Sequence, residues 1–350
     1  MADNIYYNGT KLINSKDKYG NKPEIFIVDG NRSSGKTTYW YRYLVNRFLK
    51  HKEKFILIYR YQNELKGVSD QFFGNIGSLF FPGHDCTEEK RQEGAFYELF
   101  IDNESCGYAI SLNNPDKIKK LSHFFREVKS MYFDEFQAKK YASDEADNLI
   151  SIHTSIAREP NRPVRYLPLY MSSNHISSLN PYYKLLGCAA RIDELQEGFF
   201  KGDGFVIEKN MNEAVAELQK QSPFLRAFSG SKEVQHTIEN TSSADNHSFI
   251  ENIQTANFDY ICNIKIGEEI IALKAPKDKK GVRFYFTKEY DANKKDILAI
   301  SSDSHDETTI MLGKTYGLIL ACKAEFERGR VRFSDIETKE KAFAFLMLSW

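Results

Sequence analysis

Apolar positions recur with two different periods along this chain, and the switch between them marks its elements. In the first half, short apolar runs alternate with stretches whose apolar residues return every three to four positions. That is the signature of strands interleaved with helices. Strands are predicted at 24–29, 55–59, 108–112, 130–134 and 169–172. Between the first two, Trp40, Leu44 and Phe48, beside Tyr41, Val45 and Leu49, draw one apolar stripe along a helix. Pro168 cannot donate to a sheet ladder, so the fifth strand starts after it and not at Val164. Residues 71–107 are turn-rich and predict no clear element. The alternation predicts an α/β domain with a mostly parallel sheet covered by helices.

The texture changes near Lys201. A glycine-rich turn (residues 201–204) leads to a predicted helix at 212–221, ended by Ser222-Pro223. The polar stretch 229–246 reads as linker. Short strands are then predicted at 258–266, 268–274, 281–287 and 296–300, followed by helices at 308–325 and 338–348. Strands first and helices afterwards predict a separate, small α+β domain. The expected boundaries are therefore 1–200, a linker at 201–246, and 247–350.

Composition narrows the class without deciding it. A chain of 350 residues has room for two cores. Lys+Arg and Asp+Glu both number 48, so no global basic field announces a nucleic-acid partner and any such contact needs local patches. The five cysteines (Cys86, Cys106, Cys188, Cys262 and Cys322) are scattered with no C-x-x-C pair, as in reduced intracellular thiols. No apolar run reaches membrane-spanning length and the N-terminus lacks a secretory core. A soluble intracellular protein is expected, with no membrane partner.

The strongest chemical signal is Gly30-Asn31-Arg32-Ser33-Ser34-Gly35-Lys36-Thr37, which fits G-x-x-x-x-G-K-[ST] between a predicted strand and a predicted helix. The glycines admit backbone N–H groups close to a phosphate, and the helix N-terminus faces it. Lys36 would reach the β- and γ-phosphates, and the Thr37 hydroxyl would bind Mg²⁺. Thr38 follows in the same turn. About a hundred residues on, the mostly apolar Ser130–Phe133 ends in Asp134-Glu135. At a strand end Asp134 can hold the Mg²⁺ shell, and Glu135 can polarise an attacking water as general base. Hydrolysis is favoured over transfer to a hydroxyl. Asn293-Lys-Lys-Asp296 and Asp278-Lys-Lys-Gly281 match guanine-type signatures, but they sit far downstream in the other domain and read as solvated loops. ATP is the expected nucleotide.

Taken together, these residues resemble the DNA-packaging ATPases of φ29-like tailed phages, over roughly residues 24–190. The phosphate loop, the helix segment Asn46–Lys50, the strand and its exit Phe55–Leu65, Phe133-Asp134-Glu135-Phe136, the segment Ser155–Arg165, Ser172-Ser173-Asn174 and Asn180–Tyr183 fall in the family's order. The resemblance implies an additional-strand, catalytic-glutamate (ASCE) P-loop ATPase fold and a homomeric ring, a pentamer in this family. It also implies translocation of double-stranded DNA into a procapsid through its portal, with a packaging RNA as a further candidate partner. The place of work would be the host cytoplasm, transiently docked on the procapsid. Arg158 aligns with the trans-acting arginine finger, with Arg162 and Arg165 as alternatives beside Pro160 and Pro163. Asn174 aligns with the sensor strand, and Lys120 is a candidate second trans-acting cation.

The likeness weakens beyond Lys201, where the family has a ribonuclease-H-like domain without nuclease chemistry. Asp259, Glu268 and Glu269, and the run Asp303, Asp306 and Glu307, form no evident two-metal set, so no cleavage is expected. Candidate phosphate-contacting cations there are Lys277, Lys279, Lys280, Arg283, Lys294, Lys295, Arg328, Arg330 and Arg332. Lys66, Lys139 and Lys140 are candidate pore cations. Other functions compatible with the residues are a cellular P-loop ATPase, such as a helicase loader or plasmid-mobilising motor, and a non-motor ATP-gated binding switch.

Overall fold

The computed structural model describes residues 6–142, 144–159, 164–231, 234, 245–278, 281–291, 293, 297–312 and 317–346. The chain divides into two compact units, Met1–Ala244 and Asp245–Trp350.

Nine strands build the sheet of the first unit: β1 (Ile25–Gly30), β2 (Lys54–Tyr59), β3 (Cys86–Arg91), β4 (Phe96–Ile101), β5 (Glu104–Ser111), β6 (Val128–Asp134), β7 (Leu169–Asn174), β8 (Gly198–Lys201) and β9 (Phe205–Asn210). Their order is β3-β4-β5-β2-β6-β7-β1-β9-β8. From β5 to β9 every neighbouring pair is parallel, while β3–β4–β5 and β8–β9 close the two edges as antiparallel hairpins. The parallel strands are apolar on both faces, as a sheet covered on both sides requires. Ile27, Ile56, Ile58, Met131, Phe133 and Met171 pack into one core layer. Phe26, Val28, Phe55, Leu57, Tyr132 and Tyr170 pack into the other. The helix Lys36–His51 buries Trp40, Tyr41, Leu44, Val45 and Phe48 in that second layer, and the Trp40 ring stacks on Tyr170 at 4.5 Å.

Two expectations are corrected in this unit. Residues 71–107, for which the sequence predicts no clear element, hold the helix Gly77–Phe80, β3, β4 and the start of β5. The domain edge expected at residue 200 falls inside the β8–β9 hairpin, whose turn carries Gly204 at φ +74° and whose second strand pairs along all of β1. The sheet therefore runs to Asn210, and the helices Glu213–Gln221 and Pro223–Ala227 belong to the same unit. Most of the expected linker between them and residue 245 lies outside the described residues.

The second unit carries β10 (Phe258–Ile266), β11 (Glu269–Pro276), β12 (Phe284–Thr287), β13 (Ile297–Ala299), β14 (Ile310–Met311) and β15 (Val331–Phe333), in the order β14-β13-β10-β11-β12-β15. The helices Gly317–Glu327 and Ile336–Leu346 cover a core of Ile264, Leu273, Phe286, Leu298, Phe333 and Phe345. The helix expected at 308–325 is thus shorter, because its first residues pair as β14 beside β13. Among the described residues no helix is long and apolar enough to cross a membrane.

Candidate active site

The order β6-β7-β1 sets the site. β7 stands between the strand that delivers the phosphate loop and the strand that ends in the two carboxylates. Parallel register aligns Gly30 with Asn174 and Asp134 with Ser172, so the motif residues emerge level at the carboxyl ends of their strands. An open cleft of about 830 Å³ lies there, bordered by Arg32 to Thr38, Asp134, Glu135, Ser173 and Asn174. Thus Arg32, Ser33, Ser34, Gly35, Lys36, Thr37, Thr38, Asp134, Glu135 and Asn174, separated in sequence, share one cavity.

The loop holds its shape through its own backbone. Ser33 and Gly35 take left-handed conformations, φ +63° and +88°, the kind of backbone from which anion-binding concavities are built. Gly30 is required for another reason: a Cβ there would collide with the carbonyl oxygen of Asn210 on β9. Asn31 is buried and trades hydrogen bonds with Asn212: its amide donates to the Asn212 carbonyl at 3.1 Å, and the Asn212 N–H donates to its Oδ1 at 3.0 Å. The Lys36 ammonium is buried and donates to the carbonyls of Gly30 (3.1 Å) and Asn31 (2.8 Å), to Ser34 Oγ (3.2 Å) and to Asn174 Oδ1 (3.3 Å). Burial pushes its pKa down to about 8, against the pull of Asp29, Asp134 and Glu135.

On the opposite wall, Asp134 Oδ1 accepts from Ser172 Oγ at 2.6 Å and from the Glu135 N–H at 3.0 Å. Glu135 is exposed and sits at φ +50°, a conformation a non-glycine residue adopts at a cost of about 1–3 kcal/mol. Arg60, at the exit of β2, offsets that cost by donating to the Glu135 and Phe136 carbonyls at 3.2 and 2.9 Å. Its Nε is paired with the buried Glu145 at 2.7 Å, and Glu145 also accepts from the Tyr182 hydroxyl at 2.6 Å. The general-base candidate therefore stands on a turn fixed from behind.

Behind the loop lies a second network that the motifs do not reveal. The fully buried Asp29 accepts from Tyr183 at 3.1 Å and lies 2.7 Å from His175 Nδ1. Burial pushes the Asp29 carboxyl up, but His175 and, more weakly, Lys209 hold it below the usual carboxylate range. Its neighbours in sequence are Gly30 of the loop and, through His175, Asn174. One sequence signal was available: a carboxylate inside a buried strand demands a partner.

The arginine candidates separate. Arg158 is exposed just beyond the helix Glu145–Ile156 and does not border its own chain's cleft. Arg165 is buried and donates to the carbonyls of Val128, Phe125 and Ile156, so it is a strut between elements. Arg162 lies outside the described residues. Lys120, Lys66, Lys139 and Lys140 are exposed. In the second unit Asp259, Glu268, Glu269, Asp303, Asp306 and Glu307 are all exposed, with ion pairs Asp259–Lys277, Glu269–Lys341 and Asp306–Lys265. Arg328 and Arg330 pair with Glu325, and Arg332 with Glu251. Lys279, Lys280, Lys294 and Lys295 lie outside the described residues.

Comparison with known proteins gives a consistent answer. The sequence profile of the family described as Podovirus DNA encapsidation protein (Gp16) matches residues 1–348. The DNA packaging protein of Bacillus phage B103 is 25% identical over 318 residues, spanning 88% of this chain and 92% of that protein. The DNA packaging protein of Bacillus phage phi29 is 25% identical over 342 residues, spanning 96% and 95%. A chain of the bacteriophage Phi-29 viral genome packaging motor assembly aligns with a TM-score of 0.70 at 19% identity, covering 97% of this chain and 98% of that one. At that identity the structural match speaks to the fold alone.

Proposed function

The chain belongs to the Podovirus DNA encapsidation protein (Gp16) family, and from that premise we propose that it is the ATPase motor driving double-stranded DNA into a viral procapsid. The observation that carries this reading is the convergence of Lys36, Thr37, Asp134, Glu135 and Asn174 on one cleft at the carboxyl ends of parallel strands. A binding switch needs only the loop; an adjacent carboxylate on a braced turn supports hydrolysis.

In this reading the Ser33–Thr38 backbone receives the β-phosphate, and Lys36 leaves its loop carbonyls for the β- and γ-oxygens. Thr37 and Asp134 offer a hydroxyl and a carboxylate oxygen in the same cleft, a hard-oxygen donor set that fits Mg²⁺. When bound there, the ion neutralises charge on the phosphate oxygens. Glu135 accepts the proton of the attacking water. Asn174, already bonded to Lys36, is placed to sense the γ-phosphate. Arg158 serves the neighbouring subunit's cleft and not its own, which suits a ring, with a pentamer as the expected size. Lys66, Lys139 and Lys140 are the proposed grips on the DNA backbone, largely indifferent to sequence and weakened by salt.

The procapsid portal is the proposed docking partner, with a packaging RNA as a further one, during transient residence on the capsid in the host cytoplasm. The exposed, partly ion-paired carboxylates of the second unit support a domain that does not cut DNA. Glu135→Gln is expected to lower DNA-stimulated ATP turnover by about a hundredfold or more with ATP binding retained. Unchanged turnover would remove Glu135 from its role, and failure of the unmodified protein to take up ATP would sink the motor itself.

A further inference from the structure

Triphosphate chemistry uses only part of the cleft's lining. The rest of that lining is Tyr6, Tyr7, Asn8, Tyr39, Arg42, Leu79 and Phe80. Phenol, phenyl and guanidinium groups dominate it, and these are the groups that stack on the flat face of a nucleobase. Two of them already pair: the Arg42 guanidinium lies 4.6 Å from the centre of the Phe80 ring. They come from separate elements, the helix Lys36–His51 and the helix Gly77–Phe80, so together they make one wall.

Tyr6 stands on the phosphate loop. Its side chain lies so close to Gly35 that a Cβ there would meet it at 3.2–3.5 Å, yet Tyr6 is 58% exposed. An aromatic ring kept in solvent beside a nucleotide loop has a face to offer. The segment that carries it is pinned. The Tyr7 N–H donates to the Ser34 carbonyl at 2.8 Å, and the Tyr7 hydroxyl donates to the buried Glu208 at 2.7 Å. The Tyr7 ring meets Tyr39 edge-on at 5.4 Å, and Gly9 leaves room for Tyr39, whose Cε1 a Cβ would meet at 2.6 Å. The backbone next to Tyr6 is therefore already fixed, which leaves only its side chain to be ordered on stacking.

We propose that Tyr6 and the Arg42–Phe80 pair hold the adenine base of ATP, an inference that rests on the ATPase reading above. They would be the groups that distinguish a nucleotide from a bare triphosphate. A second cleft, bordered by Tyr6, Arg32, Leu218, Phe224 and Leu225, competes for the base but lacks Lys36, Thr37 and Thr38.

The test compares magnesium-supplied ATP with inorganic tripolyphosphate, which has phosphates and no base, by titration calorimetry on the full chain. Tyr6→Ala and Phe80→Ala are each expected to raise the Kd for ATP by about tenfold. The Kd for tripolyphosphate is expected to stay within about twofold, which also reports that the variants fold. The proposal is overturned if both ligands weaken together, if neither does, or if Phe224→Ala alone weakens ATP selectively. Absence of binding by either ligand to the unmodified protein would instead remove the ATPase reading, and this proposal with it.

Discussion

At the scale of single residues, Lys36 carries the charge that the site depends on, and burial works against it. Its pKa near 8 means that the empty site sheds this proton as pH rises through that value. A triphosphate restores the proton, because the anion favours the charged form. The sign follows: ATP binding takes up a proton between about pH 7.5 and 9, and affinity falls by up to about tenfold per pH unit above 8. Calorimetry in buffers of different ionisation enthalpy measures that uptake; no uptake at pH 8.5 would mean that Lys36 stays charged in the empty site. Without a ligand the sign is opposite for stability. Between pH 8 and 10.5 the unfolded chain binds more protons at this lysine, so its contribution to stability grows as pH rises. Lys36, Thr37, Asp134 and Glu135 were legible in the sequence because each belongs to a short local pattern. Asp29, His175 and Tyr183 were not, since they meet across 146 and 154 positions of chain and no local spacing records it.

At the scale of elements, β1, β2, β5, β6 and β7 announced themselves because burial on both faces demands apolar runs, whereas the parallel β9 did not, since its apolar Phe205–Ile207 gives way at once to Glu208 and Lys209. β3 could not: Cys86–Arg91 is an edge strand with four charged residues, and its pattern is that of a solvated loop. β14 and β15 are only two and three residues long, too short for any period to register. Where the strands end, a prediction separates buried braces from surface groups. Asp29→Ala leaves His175 and Tyr183 without their acceptor and is expected to cost about 1–3 kcal/mol for each group stranded. Arg158→Ala, at an exposed position, is expected to stay within about 0.5 kcal/mol. Urea unfolding of both variants checks this, and equal stability would show that the Asp29 network braces nothing.

At the scale of the whole molecule, the proposed reading gives Arg158 to a neighbouring subunit's cleft, so a copy on its own would be incomplete. A finger supplied by a neighbour is worth about 10³–10⁵ in rate, so Arg158→Ala should be nearly inactive alone. Mixed with Glu135→Gln subunits, which still hold their arginine, it should regain part of its turnover, because some interfaces then pair an intact glutamate with an intact arginine. No recovery at any mixing ratio would argue that Arg158 does not act across subunits. The clasp between Asn31 and Asn212 has a mechanical meaning as well. The glycine-lysine loop shares two hydrogen bonds with the head of the helix Glu213–Gln221. Neither partner can shift without straining or breaking that clasp, so the setting of the loop and the setting of the helix head are held as one.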